Sequence, residues 1–365
     1  MTDPDAIERI LRQRRISRRR FLIRSAQAGL AVGAAGITVA GLLAQQPRSP
    51  WRSGAFAPVG RSSVAVLPAA SYDVDLERVV LDGLDLLDLD VRGAAVLLKP
   101  NMVEFDPSSV INTDPRLVAA TAAAMWRKGA RAVVVGEGSG HRRDIQYILG
   151  RSGLRELLAD TNATFVDLNT AAITRVVLDS RYTELGELWL PEPVVSADIV
   201  VSMPKMKTHH WGGVTLSLKN CFGVVPGRVY GWPKNVLHWA GLQNSILDVA
   251  AAVRPDLAIV DGIVGMQGDG PIKGEAVPVG VVVMGTDPVA VDATSAHVMG
   301  LDPVKVDYLG EAGRFLGQHH IEMIDQLADD PEERAVDFAL LPQFAHLRLG
   351  SGLSAPDDPA EDPGA

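Results

Sequence analysis

The long apolar runs of this chain do not alternate with polar residues. Ala94–Leu98, Ala132–Val135, Asp198–Met203, Leu257–Val260 and Val277–Met284 are near-continuous stretches rich in Val, Ile and Leu. A strand with one wet face reads apolar–polar, whereas a strand covered on both faces reads apolar throughout. Helical patterns lie between the runs. The class is therefore α/β, with a mostly parallel sheet and helices on both faces. Ser63–Leu67, Thr164–Leu168 and Arg175–Leu178 read as further strands. Asp114-Pro115 opens a helix through Lys128, stopped by Gly129; Asp287-Pro288 opens one ending near Gly300, and Asp302-Pro303 the next. In each, Asp caps the helix and Pro takes its first position. Asp144–Ala159 contains helical segments interrupted at Gly150 and Gly153, and Asn235–Val253 reads as one long helix.

The head of the chain is of another kind. Ser17-Arg18-Arg19-Arg20-Phe21-Leu22 precedes a Gly/Ala-rich apolar run over residues 26–44. Paired arginines before a weakly apolar segment read as a twin-arginine (Tat) export signal, whose partner is the Tat machinery. The expected location is the periplasm or cell exterior, with residues 26–44 a membrane tether if uncleaved. Residues 45–61 read as a linker, 62–350 as the α/β domain and 351–365 as an acidic, Pro-rich tail.

The head holds eight Arg and three acidic residues, so of 35 basic and 44 acidic side chains the remainder keeps 27 and 41. A body this acidic argues against nucleic acid as a partner. Cys221 is the only cysteine. It reads as a buried thiol, and a cysteine-ligated iron–sulfur cluster within the chain is excluded.

In a parallel sheet, ligands bind beyond the carboxyl ends of the strands. Five strands end in a charged residue beside Gly or Pro: at Lys99-Pro100-Asn101, Gly136-Glu137-Gly138, Pro204-Lys205-Met206-Lys207-Thr208-His209, Asp261-Gly262 and Asp287-Pro288. A polar cleft along the strand edge follows as an expectation. An extended 204–208 would put Lys205, Lys207 and His209 on one face, with Lys219 and Asn220 adding a cation and an amide. Lys99, Asn101, Lys205, Lys207, Lys219 and Asn220 are thus the expected anion-binding residues. Gly136, Glu137 and Gly138 form a glycine turn suited to a cofactor's anionic group, and a tight structural turn reads equally well. His209, Asp261 and Asp292 are the expected catalytic groups, Asp292 because it stands inside an apolar helix. His209 and Asp261 are also the candidate ligands for a divalent metal, although no metal-binding spacing is present.

The Lys-Pro-Asn at 99–101, the Gly-Glu-Gly at 136–138, Met-Pro-Lys-x-Lys-Thr-His at 203–209, Leu-Ser-Leu-Lys-Asn at 216–220, Asp261-Gly262 and Asp-Pro-Val-Ala-Val-Asp at 287–292 together resemble the DUF362 family. The resemblance spans roughly 62–310 and implies an α/β fold with a shared polar site, but no reaction. Some members carry ferredoxin-type cysteine motifs; this chain has none. Three readings follow: an exported enzyme on a small anionic substrate, an exported binding protein for an anionic ligand or cofactor, and a metal- or cofactor-loaded redox protein without an iron–sulfur cluster. The cofactor, if any, is unidentified.

Overall fold

The computed structural model describes residues 49–140 and 144–351. The expected export signal, the first residues of the expected linker and the tail beyond Ser351 lie outside the described residues. Among the described residues no helix is long and apolar enough to cross a membrane.

The strands are β1 (Ser62–Pro68), β2 (Ala95–Pro100), β3 (Ala132–Glu137), β4 (Thr164–Asp167), β5 (Ile173–Val177), β6 (Glu187–Pro191), β7 (Ile199–Met203), β8 (Lys205–His209), β9 (Gly213–Thr215), β10 (Leu257–Gln267), β11 (Glu275–Gly285) and β12 (Ile324–Ala328). Ten form one sheet in the order β12-β1-β11-β10-β7-β2-β3-β4, with β8 added on β10 and β9 on β8. The pairings are parallel except β1–β11, β10–β11 and β8–β9. Two of the exceptions have a local cause. Only a short loop joins β10 to β11 and β8 to β9, and parallel neighbours need a long crossover. β5 and β6 pair antiparallel in a separate ribbon.

The helices are α1 (Leu76–Leu86), α2 (Pro115–Arg127), α3 (Ile145–Arg151), α4 (Leu154–Ala159), α5 (Glu192–Val195), α6 (Ser217–Asn220), α7 (Gly227–Tyr230), α8 (Asn235–Trp239), α9 (Leu242–Val253), α10 (Pro288–Val298) and α11 (Asp307–Ala312). α1 to α4 cover one sheet face, where Leu84, Leu117, Met125 and Ile148 meet Leu67, Leu98, Val135, Val201 and Met284. The opposite face carries α6, against β7, and α10, against β1, β10 and β11. α10 is buried nearly all round, as its unpatterned sequence demands. Asp114 and Asp287 accept from the first-turn amides of α2 and α10, each with Pro at the start of the helix. Asp302 caps only a 3-10 turn, Pro303–Lys305, before α11.

Two expectations need correction. The helix expected over Asn235–Val253 is two helices, because Gly241 between them adopts φ +98°, a region that favours glycine. The expected linker is docked from Trp51 onward: Trp51 stacks on Phe315 with ring centroids 4.7 Å apart, and Phe56 meets the same ring edge-on at 4.8 Å.

Candidate functional site

Along the sheet, β3 lies to one side of β2 and β7 to the other, so the order of travel reverses between β2 and β7. Such a reversal leaves a crevice outside the strands' carboxyl ends. A cavity of about 180 Å³ opens there, with Asn101, Glu137, Lys207, His209, Lys219 and Asn220 in its lining. Sequence reasoning missed Trp211, Thr215, Phe222, Lys234, His238 and Ile272, which line it as well.

Two carboxylate–lysine pairs are built into the surroundings. Lys99 is 1 % exposed and donates to Pro100 O (2.7 Å), Glu137 Oε2 (2.9 Å) and Asn220 Oδ1 (3.2 Å). Glu137 accepts in addition from the amides of Met102 (2.8 Å) and Gly138 (2.7 Å). The Gly138 amide is thus taken by its neighbour and is not left for a cofactor's phosphate. Gly136 has packing work: a Cβ there would stand 3.0 Å from Leu97 and 3.1 Å from Leu168. Gly223 shows how tightly the pair is packed, since a Cβ on it would lie 2.5 Å from Lys99 Nζ and 2.7 Å from Glu137 Oε1.

The second pair stands apart from the cavity lining. Lys205 donates to Asp261 Oδ2 (2.6 Å), Tyr72 Oη (2.7 Å) and Val264 O (3.1 Å). Asp261 also accepts from Tyr72 Oη (2.8 Å) and from the amides of Asp114 (2.8 Å) and Ile263 (3.3 Å). Four donors fill the four lone-pair positions of a carboxylate. Burial beside Asp261 pushes the Tyr72 phenol far up, so it remains a donor. The expected single face of Lys205, Lys207 and His209 is divided for a reason in the neighbouring strand. Lys205 is level with Asp261 on β10 but Lys207 with Met266, so two steps on β8 oppose five on β10. The irregularity sends the two ammonium groups to different places.

Asp292 is also engaged elsewhere. It accepts from the amides of Ser217 (2.6 Å) and Leu218 (2.9 Å), which anchors the start of α6 to α10. Burial drives its pKa up to about 8, opposed by those two amides. Asp261 and Asp292, expected as catalytic, are thus structural partners outside the cavity lining, and Lys205 leaves the anion-binding set with Asp261. His209 and Asp261, the candidate metal ligands, belong to different clusters. Among the described residues no group of three or more His, Cys, Asp or Glu side chains is placed to hold a metal ion. Cys221 is buried and donates to Ser217 O, and burial raises its thiol to about 12.

Inside the cavity the groups are mostly donors. His209 accepts at Nδ1 from the amides of Trp211 (3.0 Å) and Gly212 (3.2 Å), so its proton sits on Nε2. Burial, then the charge of Lys219, hold its pKa well below the usual range, so the ring is neutral with its Nε2–H as a donor. Lys234 donates to Gly138 O, Phe222 O and Gly223 O at 2.8–2.9 Å. Burial, opposed by Glu137 and helped by the Lys99 and Lys219 charges, pulls it down to about 7, and those three carbonyls take all three N–H bonds of its ammonium form. No sequence periodicity announced Lys234, which sits at φ +65° just before α8. Lys207 donates to Ile111 O (2.7 Å) and weakly to Pro271 O (3.4 Å), and burial with the Lys219 charge presses its pKa far down.

Lys219 differs from them all: its amine has no hydrogen bond or ion pair to any described residue. Burial lowers it to about 8. Two more atoms in this wall lack partners, Asn101 Oδ1 and Thr215 Oγ1. The Asn101 orientation is fixed by a chain of donors. Lys99 can only donate, so the Asn220 atom it meets is an acceptor, and the Asn101 group 3.3 Å from that acceptor must be the amide nitrogen. The orphan is therefore the oxygen.

These residues lie in the span matched by a known family, described as a domain of unknown function (DUF362), over residues 96–297. The chain is 29% identical over 245 residues to the thylakoid-associated protein sll1697 of Synechocystis sp., covering 63% of this chain and 72% of that one. Among solved structures it is similar to the lactate racemase apoprotein of Thermoanaerobacterium thermosaccharolyticum (TM-score 0.36, 16% identity, 61% of this chain and 54% of the other). It is also similar to a Thermotoga maritima protein (TM-score 0.30, 13% identity, 58% and 56%). The chain thus spans little more than half the length of either solved protein. The family match covers more than half of the 365 residues and contains the whole cavity lining, and the chain belongs to the DUF362 family.

Proposed function

We propose that this protein is an exported enzyme whose cavity takes a small anion and acts on it through the Lys219 amine. One observation carries the reading. Lys99, Lys205 and Lys234 each meet three oxygens, Lys207 meets two, and Lys219 meets none. An ammonium has three N–H bonds, so the first three are committed cations. Lys219 is at liberty to bind an anion when charged and to take a proton when neutral. Glu137, the only carboxylate in the described lining, already accepts from Lys99 and from two backbone amides. The volume favours a small ligand, since drug-sized molecules occupy upwards of about 300 Å³.

Calorimetric titration with sulfate, whose charge is constant over the range, tests this between pH 7 and 10. Binding should be tightest at pH 7 and weaken with a midpoint near 8, as Lys219 loses its proton. Affinity that stays flat to pH 10 would remove Lys219 from the site, and an absence of binding at every pH would end the anion reading.

The second reading, capture without turnover, draws support from the same wall: Glu137 is not free to act as a base. The two readings part on whether Lys219 reacts.

Export by the twin-arginine route rests on the motif at residues 17–22. Replacing Arg18 and Arg19 by Lys preserves charge and should strand the full chain in the cytoplasm, as followed by cell fractionation; undiminished export would overturn this part. The name of the Synechocystis relative, thylakoid-associated, supports a form that stays tethered through residues 26–44.

A further inference from the structure

We infer that the anion carries a carbonyl group and that Lys219 joins it covalently as an imine. The inference rests on the cavity reading above and goes beyond it. Its first support is the placement of the amine. A Cβ on Gly212 would stand 3.3 Å from Lys219 Cε and 3.5 Å from Cδ, so the side-chain stem lies against bare backbone. Its nitrogen, beyond that contact, has no partner among the described residues. A pinned stem with a free head is a pre-organised nucleophile.

The second support is the company it keeps. Two more buried lysines, Lys207 and Lys234, line the same cavity, and burial there lowers the Lys219 amine to about 8. An arrangement meant only to hold an anion gains nothing from an amine kept ready to lose its proton. Imine formation requires that readiness, because only the neutral amine has a lone pair to give.

The third support is the orphaned oxygen. Asn101 Oδ1 is an acceptor in the wall with nothing to accept. A carboxylate or phosphate offers it no hydrogen, whereas the O–H of a carbinolamine does. Thr215 Oγ1, also unpartnered, can donate to or accept from the same intermediate.

The step balances within the site. The Lys219 nitrogen attacks the carbonyl carbon, a C–N bond forms, and the π pair moves to oxygen. Lys207, with one open position on its nitrogen, passes two protons one at a time from the attacking nitrogen to that oxygen. The C–O bond breaks, water leaves, and the nitrogen lone pair closes C=N. One amine and one carbonyl give one imine and one water, with nothing oxidised or reduced. The His209 Nε2–H remains for the anionic group.

The test is reductive trapping on the full chain. The protein is incubated with cyanoborohydride and, in separate arms, pyruvate, dihydroxyacetone phosphate or acetone, then mapped by peptide mass spectrometry. A single adduct on Lys219 is expected, forming about tenfold or more faster with a charged carbonyl than with acetone and slowed by sulfate. The faster of the two charged arms tells a carboxylate ligand from a phosphate one. Lys219→Arg should bind sulfate, keep its circular dichroism spectrum and form no adduct. Sulfate binding with no adduct, or with adducts spread over exposed lysines, overturns the carbonyl inference and leaves the anion reading standing. Failure to bind sulfate overturns both.

Discussion

Asp261→Ala should cost about 3–5 kcal/mol of stability, the range for breaking a buried ion pair from one side. The carboxylate is fully buried, and its removal strands the Lys205 ammonium, the Tyr72 hydroxyl and the Asp114 amide at once. Urea unfolding followed by circular dichroism measures the loss. Asp261→Ala combined with Lys205→Met should recover part of it, because no unpaired charge then remains inside. The prediction decides between two roles for one residue. As a strand-end carboxylate after an apolar run, Asp261 reads as a catalytic group; as the acceptor of four hydrogen bonds it ties β8 and β10 to the start of α2. If Asp261→Ala unfolds at the same urea concentration as the parent while ligand handling is lost, the catalytic role returns.

The difference between those roles marks what the sequence could express. Burial of whole strands was legible because apolar runs without alternation have few other uses, and the parallel core β7-β2-β3-β4 follows from them. Asn101, Glu137, Lys207, His209, Lys219 and Asn220 were legible as a group because each follows or flanks a strand end, and strand ends of a parallel core gather on one edge. Lys205 and Asp261 fit that same description and still lie elsewhere. The reason is the register irregularity between β8 and β10, a relation between two strands that neither strand's composition records. Asp292 was legible as needing a partner, and its partners are two backbone amides, which carry no sequence signature. Lys234 and Trp211 were invisible for a further reason. They reach the cavity from turns, at Lys234 through a left-handed backbone angle on a residue that is not glycine.

A lysine pinned by three oxygens and a lysine meeting none look alike in sequence, and their replacement should have opposite consequences. Lys219→Met should weaken sulfate binding by about 30-fold or more, corresponding to about 2 kcal/mol for losing the charged partner of the anion. The same substitution should make the protein more stable, by about 0.5–2 kcal/mol, as replacements at strained functional positions do. The gain has a pH dependence that identifies its source. Lys219 gives up its proton near pH 8 in the folded chain and near about 10.4 when unfolded. Between those values the unfolded chain holds the extra proton, so the parent's stability rises with pH while the Met variant's does not. The advantage of the variant is therefore complete below about pH 8 and fades as pH climbs towards about 10.4. Urea unfolding at pH 7 and pH 10 measures both ends. A variant that binds sulfate poorly and is also less stable at pH 7 would make Lys219 one more structural ammonium, and the cavity would lose its reactive group.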